Sequence, residues 1–522
     1  MKRHLILVAA ALAFAACAEK AQTDNQSQEL DKSYVSITLA ANDGSTKAAG
    51  DSYEDGLTAE RKVESAYVFF FKDGAAFPIN FNSSTSTSSN TGNSNYIAID
   101  LSGSQSGTPN VSDIKDAVLI LQKYKGEYPD QVVAVLNWDP TAQASYTLNE
   151  LKSIVTDLGN ATDGFVMSNS VYAGKGEQTI DAVNLTISNI AKTEADALAN
   201  PVTIYVERAA AKVAFTSTNN GKFNVGKEVD GTPVYAQITG FELYNDYENS
   251  KLIKSINPAW ESIGFSWNDP DWFRSYWAQS IETAFPNNTF GWNTDNTAIN
   301  GFVYCGENTR QWSEQSDVRT KVIIKAQLVD ANGTAVEVVN WYGKDYVGEG
   351  TLKTVVANTL KNVYFSGSNQ TYTGLTPEDI KCVSRVETQE NAYEVYFQLS
   401  DAGMAKTWYK YENGNYTSIA QNASLNTVLA SLQPALVYKN GMTYYWTDIK
   451  HLGNTGSTTE YGVVRNHVYK VNITSISGFG TPVYSTTLDF LKPEKPSDVI
   501  SYVSAQVNIL SWRIVDNNYD ID

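Results

Sequence analysis

The feature that most restricts this chain is its punctuation. Strand-length apolar runs alternate with Asp-Gly and Asn-Gly pairs, the dipeptides that close tight β-turns. "KVESAYVFFFKDGAAF" reads as a strand, a turn at Asp73-Gly74 and a return. Asn332-Gly333 joins "TKVIIKAQLVD" to "TAVEVVNWYG" in a hairpin pattern, and Asn413-Gly414 and Asn440-Gly441 mark two more. "DQVVAVLNW" is apolar without a break, as a central strand is. Residues 200–217 supply one or two long strands, and 31 Tyr with 11 Trp agree with strand structure. Helical patterns are few. Thr147 caps a helix with Glu150 completing a capping box and Gly159 as its stop; 269–280 starts from Asp269 and Pro270; 424–432 is short. The Ser/Thr/Asn tract at 82–95 is a low-complexity loop. No residue-level repeat is visible. A chain of 522 residues with two strand-rich halves predicts a mainly β protein of two tandem β-sandwich domains with a few short helices.

The N-terminus places the chain outside the cytoplasm. Lys2 and Arg3 precede an apolar run, Leu5 to Ala16, that is too short to span a bilayer and has the length of a signal-peptide core. Ala15 and Ala16 then precede Cys17, the arrangement in which cleavage before the cysteine lets its thiol carry lipid. The simpler alternative is an ordinary signal peptide with a stray cysteine. No later run has the length and hydropathy of a membrane-spanning helix. Cys305 and Cys382 are the remaining cysteines; one disulfide or two free thiols both fit.

A net charge of −18 repels nucleic acid and anionic headgroups. Catalytic patterns are missing. His451 and His467 follow the leader, each beside a strand and neither in a nucleophile-base pattern; no zinc-protease helix, phosphate loop or dinucleotide fingerprint occurs. Acidic residues are too many for a glycosidase pair to be picked out. "DPDW" and "DNNYDID" lack calcium-loop spacing. The reading is a non-enzymatic protein with no metal and no cofactor. A glycan-binding surface built from the abundant Tyr and Trp stays open beside the reading of those rings as core and cross-strand partners.

The two ends pose a joint question. "YVSITLA" alternates Val35, Ile37 and Leu39 against Ser36 and Thr38, a half-buried strand. A polar loop with Lys47 at its middle follows, open to proteolysis. The chain closes on "AQVNILSWRIV", in which Val507 and Ile509 share one face and Leu510, Trp512 and Ile514 the other, a phase change that implies a bulge or two successive strands. A cut near Lys47 frees the first strand, removes an edge from a sheet and leaves an apolar slot that the tail of a second copy can fill. Burying the five tail anchors would contribute on the order of 10 kcal/mol gross. The simpler arrangement keeps both ends in their own domains' sheets.

Six stretches occur in a familiar order: "YEDGL…ERKVESAYVFFF", "YVERAAAKVAF", "YYWTDIKHLG", "YGVVRNHVYKVNITSISGFG", "VNILSWRIVDNN" and the lipoprotein start. On these the chain resembles the major fimbrillins of Bacteroidales, in particular the minor-fimbria (Mfa-type) shaft-subunit family of Porphyromonas. The resemblance implies transthyretin-like sandwiches and a structural shaft subunit of a cell-surface fimbrium that supports adhesion and biofilm formation. It implies residues 1–16 as signal peptide and 17–47 as a lipidated propeptide removed on maturation, the precursor being an outer-membrane lipoprotein. Residues 48–212 and 213–522 are then the two domains, the second ending in a donor strand at about 505–515. It implies lipid on Cys17, maturation between Lys47 and Ala48 by a trypsin-like protease, and Val507, Ile509, Leu510, Trp512 and Ile514 as donor anchors. Processing in the family usually follows an arginine; Lys47 stands in the matching loop here, and Arg61 is the next arginine. The implied partners are further copies of the chain in a linear polymer, accessory tip and anchor subunits, and host or bacterial surface ligands. A tip or anchor subunit of the same system, and a monomeric glycan-binding lipoprotein, are the alternatives.

Overall fold

The computed structural model describes residues 33–41, 56–79, 94–99, 101, 117–121, 124–170, 172–173, 179–256, 279–281, 283, 285, 291–292, 297–310, 318–366, 371–384, 393–451, 460–486, 502–510 and 514–517. The fold is mainly β, as the runs predict. Among the described residues the longest helix is Glu349–Thr359, and none is long and apolar enough to cross a membrane.

The N-terminal part is built on a nine-stranded sheet, with small two-stranded sheets beside it. Its main path runs Ala75–Ala76, Ala66–Lys72, Gln131–Leu136, Met167–Asn169, Val202–Arg208, Ser33–Ala41, Ala117–Leu121. The unbroken apolarity of "YVFFF" and "QVVAVL" has a direct cause: the sheet is covered on both faces. Val68, Phe70, Val132 and Ala134 enter one core with Ile204 and Leu136. Phe69, Phe71, Val133 and Val135 enter a second core with Tyr146, Leu148 and Leu151. The Asp73-Gly74 turn forms as read, with φ of 49° and 75°, the paired positive values that match strand twist.

The helix capped by Thr147 is shorter than expected. It spans Leu148–Ser153, with the Thr147–Glu150 capping box in place. Val155–Asp157 then pairs antiparallel with Asn249–Lys251, so β-branched Val155 and Thr156 go to a sheet well before Gly159. The tract at 82–95 also ends differently from a loop. Asn95 is buried, donates from Nδ2 to the carbonyls of Phe70 (3.0 Å) and Tyr146 (2.8 Å), and accepts from the Tyr146 N–H at 2.9 Å. Residues 82–93 lie outside the described residues.

The chain leaves the first sheet at Ala209-Ala210, since Val202–Arg208 belongs to it and Ala211–Ser217 to the next. Two five-stranded sheets share a core of Phe215, Phe241, Ile324, Leu328, Tyr469 and Val471. One carries Ala211–Ser217, Val468–Ser477 and the C-terminal strands; the other centres on Thr232–Tyr244 and Lys321–Val329. Between Lys321–Val329 and Met442–Asp448 the chain builds a further pair of sheets with its own core around Trp341, Phe397, Trp408 and Leu429, which the strand count alone did not separate. The helix Asn422–Ala430 lies there, near the expected 424–432.

The Asn-Gly pairs divide by role. Asn413-Gly414 closes the hairpin Trp408–Glu412/Asn415–Ser418. Asn332-Gly333 closes a turn, with the Asp330 N–H donating to the Thr334 carbonyl at 2.8 Å. The expected long hairpin stops there, because Val338–Trp341 pairs with Lys344–Val347 and Ala435–Tyr438. Asn440-Gly441 is no hairpin: it carries the chain from Ala435–Tyr438 in one sheet to Met442–Asp448 in another. The expected helix at 269–280 lies outside the described residues except for Gln279 and Ser280, which are not helical.

Candidate functional site: the seat of the first strand

Ser33–Ala41 occupies an interior position in its sheet. The expectation of an edge strand is therefore corrected. Its N-terminal half pairs antiparallel with Ala117–Leu121, Ser33 opposite Leu121 and Ile37 opposite Ala117. Its C-terminal half pairs parallel with Val202–Arg208, Ile37 opposite Val202 and Ala41 opposite Val206. Val35, Ile37 and Leu39 are buried in the core that holds Leu119, Leu121, Ile204 and Val206. Burying such a trio contributes roughly 6 kcal/mol gross. On the opposite face Ser36 is buried as well, while Tyr34 and Thr38 are half-buried; Ser33 is buried on the same face as Val35. The Ser33 hydroxyl meets the Tyr128 hydroxyl at 2.5 Å, and Tyr34 exchanges backbone hydrogen bonds with Ala191 at 2.8 and 2.9 Å.

The described chain resumes at Gly56 and is then fastened within a few residues. Thr58–Arg61 forms a helical turn whose Glu60 is fully buried. Glu60 accepts from Lys212 Nζ (2.8 Å), from the Tyr304 hydroxyl (2.5 Å) and from the Leu57 N–H (2.8 Å). Its backbone carbonyl accepts from Arg208 Nε at 2.6 Å. Burial opposes the carboxylate charge, but the donated hydrogen bonds from Lys212, Tyr304 and Leu57 outweigh it and hold Glu60 below the ordinary carboxylate range. Burial lowers Arg208 to about 10. The Lys62 carbonyl accepts from Asn137 Nδ2 at 2.8 Å. This turn thus ties the segment that begins at Gly56 to Ala211–Ser217 and Phe302–Cys305 of the next sheet.

A second buried set joins the same regions. Glu207 meets Lys254 at 3.3 Å, and Arg465 meets Glu307 at 2.8 Å, all four side chains being buried. Arg465 also donates to Ser250 Oγ at 2.9 Å. Burial is the main cause that raises Glu207, with the Glu307 charge adding to it and Lys254 and Arg465 opposing. Nothing in sequence spacing pairs position 60 with 212 or 307 with 465, and neither set was visible at that level.

The C-terminal tail lies in its own sheet. Tyr502–Leu510 pairs antiparallel with Val468–Ser477, Val507 opposite Val471 and Ile509 opposite Tyr469. Ile514–Asn517 folds back on it, Leu510 opposite Ile514, and forms the sheet's edge. Val507, Ile509 and Leu510 are thus on one strand and Ile514 on the next. Trp512, Cys17, Lys47 and Ala48 lie outside the described residues, as do "DPDW" and most of "DNNYDID".

The other candidates resolve as structural. His451 and His467 are buried with ring centroids 5.4 Å apart; the Tyr469 hydroxyl, which accepts from the Val464 N–H at 2.8 Å, is hydrogen-bonded to His451 Nδ1 at 2.9 Å. Cys305 and Cys382 are both free and sit in different sheets. Among the described residues no group of His, Cys, Asp and Glu is placed to hold a metal ion.

Comparison with known proteins adds to this geometry. Residues 436–518 match the family model for the C-terminal domain of fimbrillin, the major fimbrial subunit protein type IV. The matched stretch takes in His451, His467 and both tail strands, so the C-terminal part of the chain is similar to that family. A search of curated proteins finds no match. Among solved structures, a fimbrilin (fimA) from Porphyromonas gingivalis is 12% identical, with 93% of this chain and 98% of that chain covered at a TM-score of 0.36. A putative cell adhesion protein from Parabacteroides distasonis is 12% identical, covering 92% and 97% at 0.34. The tip fimbrial protein Mfa3 from Porphyromonas gingivalis, with a C-terminal truncation, is 12% identical, covering 91% and 99% at 0.28.

Proposed function

We infer that this chain is a structural subunit of a cell-surface fimbrium, without catalysis, and that it forms the shaft. The match of residues 436–518 to the fimbrillin C-terminal domain carries this reading. In it Cys17 carries lipid during transit to the outer membrane, and a trypsin-like protease cuts between Lys47 and Ala48. The first strand then departs and the tail of the next copy takes its seat, with Val507, Ile509, Leu510, Trp512 and Ile514 as anchors.

Two features of the fold support the exchange. The seat has strand neighbours on both sides and an apolar floor, so an empty seat exposes unpaired backbone and dry sockets together. The tail comprises the last two strands of its sheet, at the edge, and can peel away without drawing any connection through the fold. Its ladder with Val468–Ser477 is given up for a new ladder on two sides.

The test is N-terminal sequencing of protein sheared from cells, with electron microscopy of the same material. Filaments whose subunits begin at Ala48 are expected. Subunits that keep 33–41 and stay single at high concentration overturn the reading. A second arm removes the first strand from purified protein with trypsin and adds a peptide of residues 502–517; recovery of the parent urea midpoint is expected, and no recovery counts against the tail as occupant.

A further inference from the structure

The small sheet built from Val363–Ser366, Tyr372–Gly374, Trp408–Glu412 and Asn415–Ser418 has one face on a core and one face away from it. Phe365 and Trp408 are register partners and pack inward. Strand alternation then places their neighbours Tyr364 and Tyr409, also register partners, on the outer face. Tyr411 lies two residues beyond Tyr409 and is paired with Tyr416; Tyr416 stacks on Tyr372 with centroids 3.6 Å apart and planes 2° apart. Tyr364 stands edge-on to Tyr416 at 5.4 Å and 89°. Outer faces of antiparallel sheets are ordinarily polar. This one is a contiguous tyrosine platform, with Tyr411 and Tyr416 exposed at 41% and 38%. None of these tyrosine hydroxyls has a hydrogen-bond partner among the described residues.

We propose that this platform binds a short neutral glycan. Pyranose C–H faces carry slight positive charge and meet the negative face of an aromatic ring, while sugar hydroxyls meet phenolic ones. A net charge of −18 disfavours sialylated or sulfated chains. The size of the platform argues against a protein occupant. At these exposures the rings offer about 400 Å² at most, below the ~800 Å² that each partner gives to a stable protein interface, and near the footprint of a few sugar rings. The core beneath does not need the outer rings, since Trp408 and Phe365 fill it. The inference does not depend on the fimbrial reading.

The experiment applies the full chain to maltohexaose, cellohexaose, mannohexaose and the hexamer of N-acetylglucosamine, with sialyllactose as the anionic comparison, by isothermal titration. At least one neutral hexamer binds and sialyllactose does not. Tyr416→Ala and Tyr372→Ala each weaken that binding tenfold or more, and Tyr416→Phe weakens it less than threefold. Urea midpoints confirm folding of each variant; should either Ala variant unfold, Tyr411→Ala at the more exposed ring replaces it with the same expected loss. Binding of none of the neutral hexamers, binding unchanged in the Ala variants, or tighter binding of sialyllactose overturns the proposal. Filament formation is read on the same variants and stays at the parent level, which separates this site from assembly.

Discussion

Glu60 Oε1 and Lys212 Nζ, 152 positions apart in the chain, meet at 2.8 Å with both side chains buried. The pair fastens the start of the N-terminal sheet's connecting segment to the opening strand of the C-terminal sandwich. Removing one member of a buried pair leaves an uncompensated charge, so Glu60→Ala is expected to cost about 3–5 kcal/mol. Urea unfolding measures it. The same substitution releases the turn that holds Arg61 and Lys62, so limited trypsin treatment, read by N-terminal sequencing, yields new ends at Lys62 and Val63. An intact Arg61-Lys62-Val63 stretch in the variant would falsify the role of Glu60 as a fastening.

Acid sensitivity follows from two carboxylates. Glu60 is held below its ordinary range as described. Glu349 is too: burial opposes its charge, but hydrogen bonds from Lys353 and Lys439 prevail. A carboxyl whose folded pKa lies below its unfolded value contributes stability above the unfolded value of 4.5 and loses it as pH falls through the folded one. The urea midpoint is therefore expected to hold from pH 7 down to about 5 and to fall below that. Glu349→Gln makes the fall shallower; an identical slope in the variant counts against this assignment.

Gly441 and Gly414 form a matched pair of tests. Both have positive φ, 76° and 80°. A Cβ at Gly441 would lie 2.4 Å from the Leu328 carbonyl oxygen, whereas one at Gly414 meets nothing within 4 Å. Gly414→Ala is expected to cost about 1 kcal/mol, the left-handed penalty alone. Gly441→Ala adds a backbone clash and is expected to cost ~2–4 kcal/mol. Equal urea midpoints for the two variants would show that the crossing at Leu328 has room to spare.

The free thiols differ in access. Cys305 is buried, and burial with the nearby Asp246 charge raises its pKa strongly. Cys382 is partly exposed and raised by burial and by Glu349. Native protein at pH 8 should alkylate Cys382 slowly and Cys305 only on unfolding, as peptide mapping after iodoacetamide reports. Rapid labelling of Cys305 in the folded state would contradict the packing around Phe302–Cys305.

Local chemistry was legible and long-range pairing was not. Asp73-Gly74, Asn413-Gly414 and the Thr147 capping box each act over a few residues, and each forms as the residues dictate. Asn440-Gly441 has the same dipeptide and the same positive φ yet links two sheets, because a turn residue fixes the local bend and not the partner of the strand that leaves it. The helix after Thr147 stops early for the same reason: its partner strand, Asn249–Lys251, is remote in sequence. The opening strand's alternation of Val35, Ile37 and Leu39 showed one buried face. Its interior place depends on Ala117–Leu121 and Val202–Arg208, whose adjacency no periodicity encodes. The Glu60 turn carried no signal, since an acidic residue in a first turn is ordinarily solvated.

The two walls around the opening strand run in opposite senses, one parallel to it and one antiparallel. Such a groove distinguishes head from foot. An occupant entering in the original direction restores the slanted bonds on one flank and the perpendicular ones on the other; an occupant entering reversed must swap them. Any chain of copies linked through this groove therefore has an arrow built into every joint, so that its two ends differ and successive copies point along a single heading.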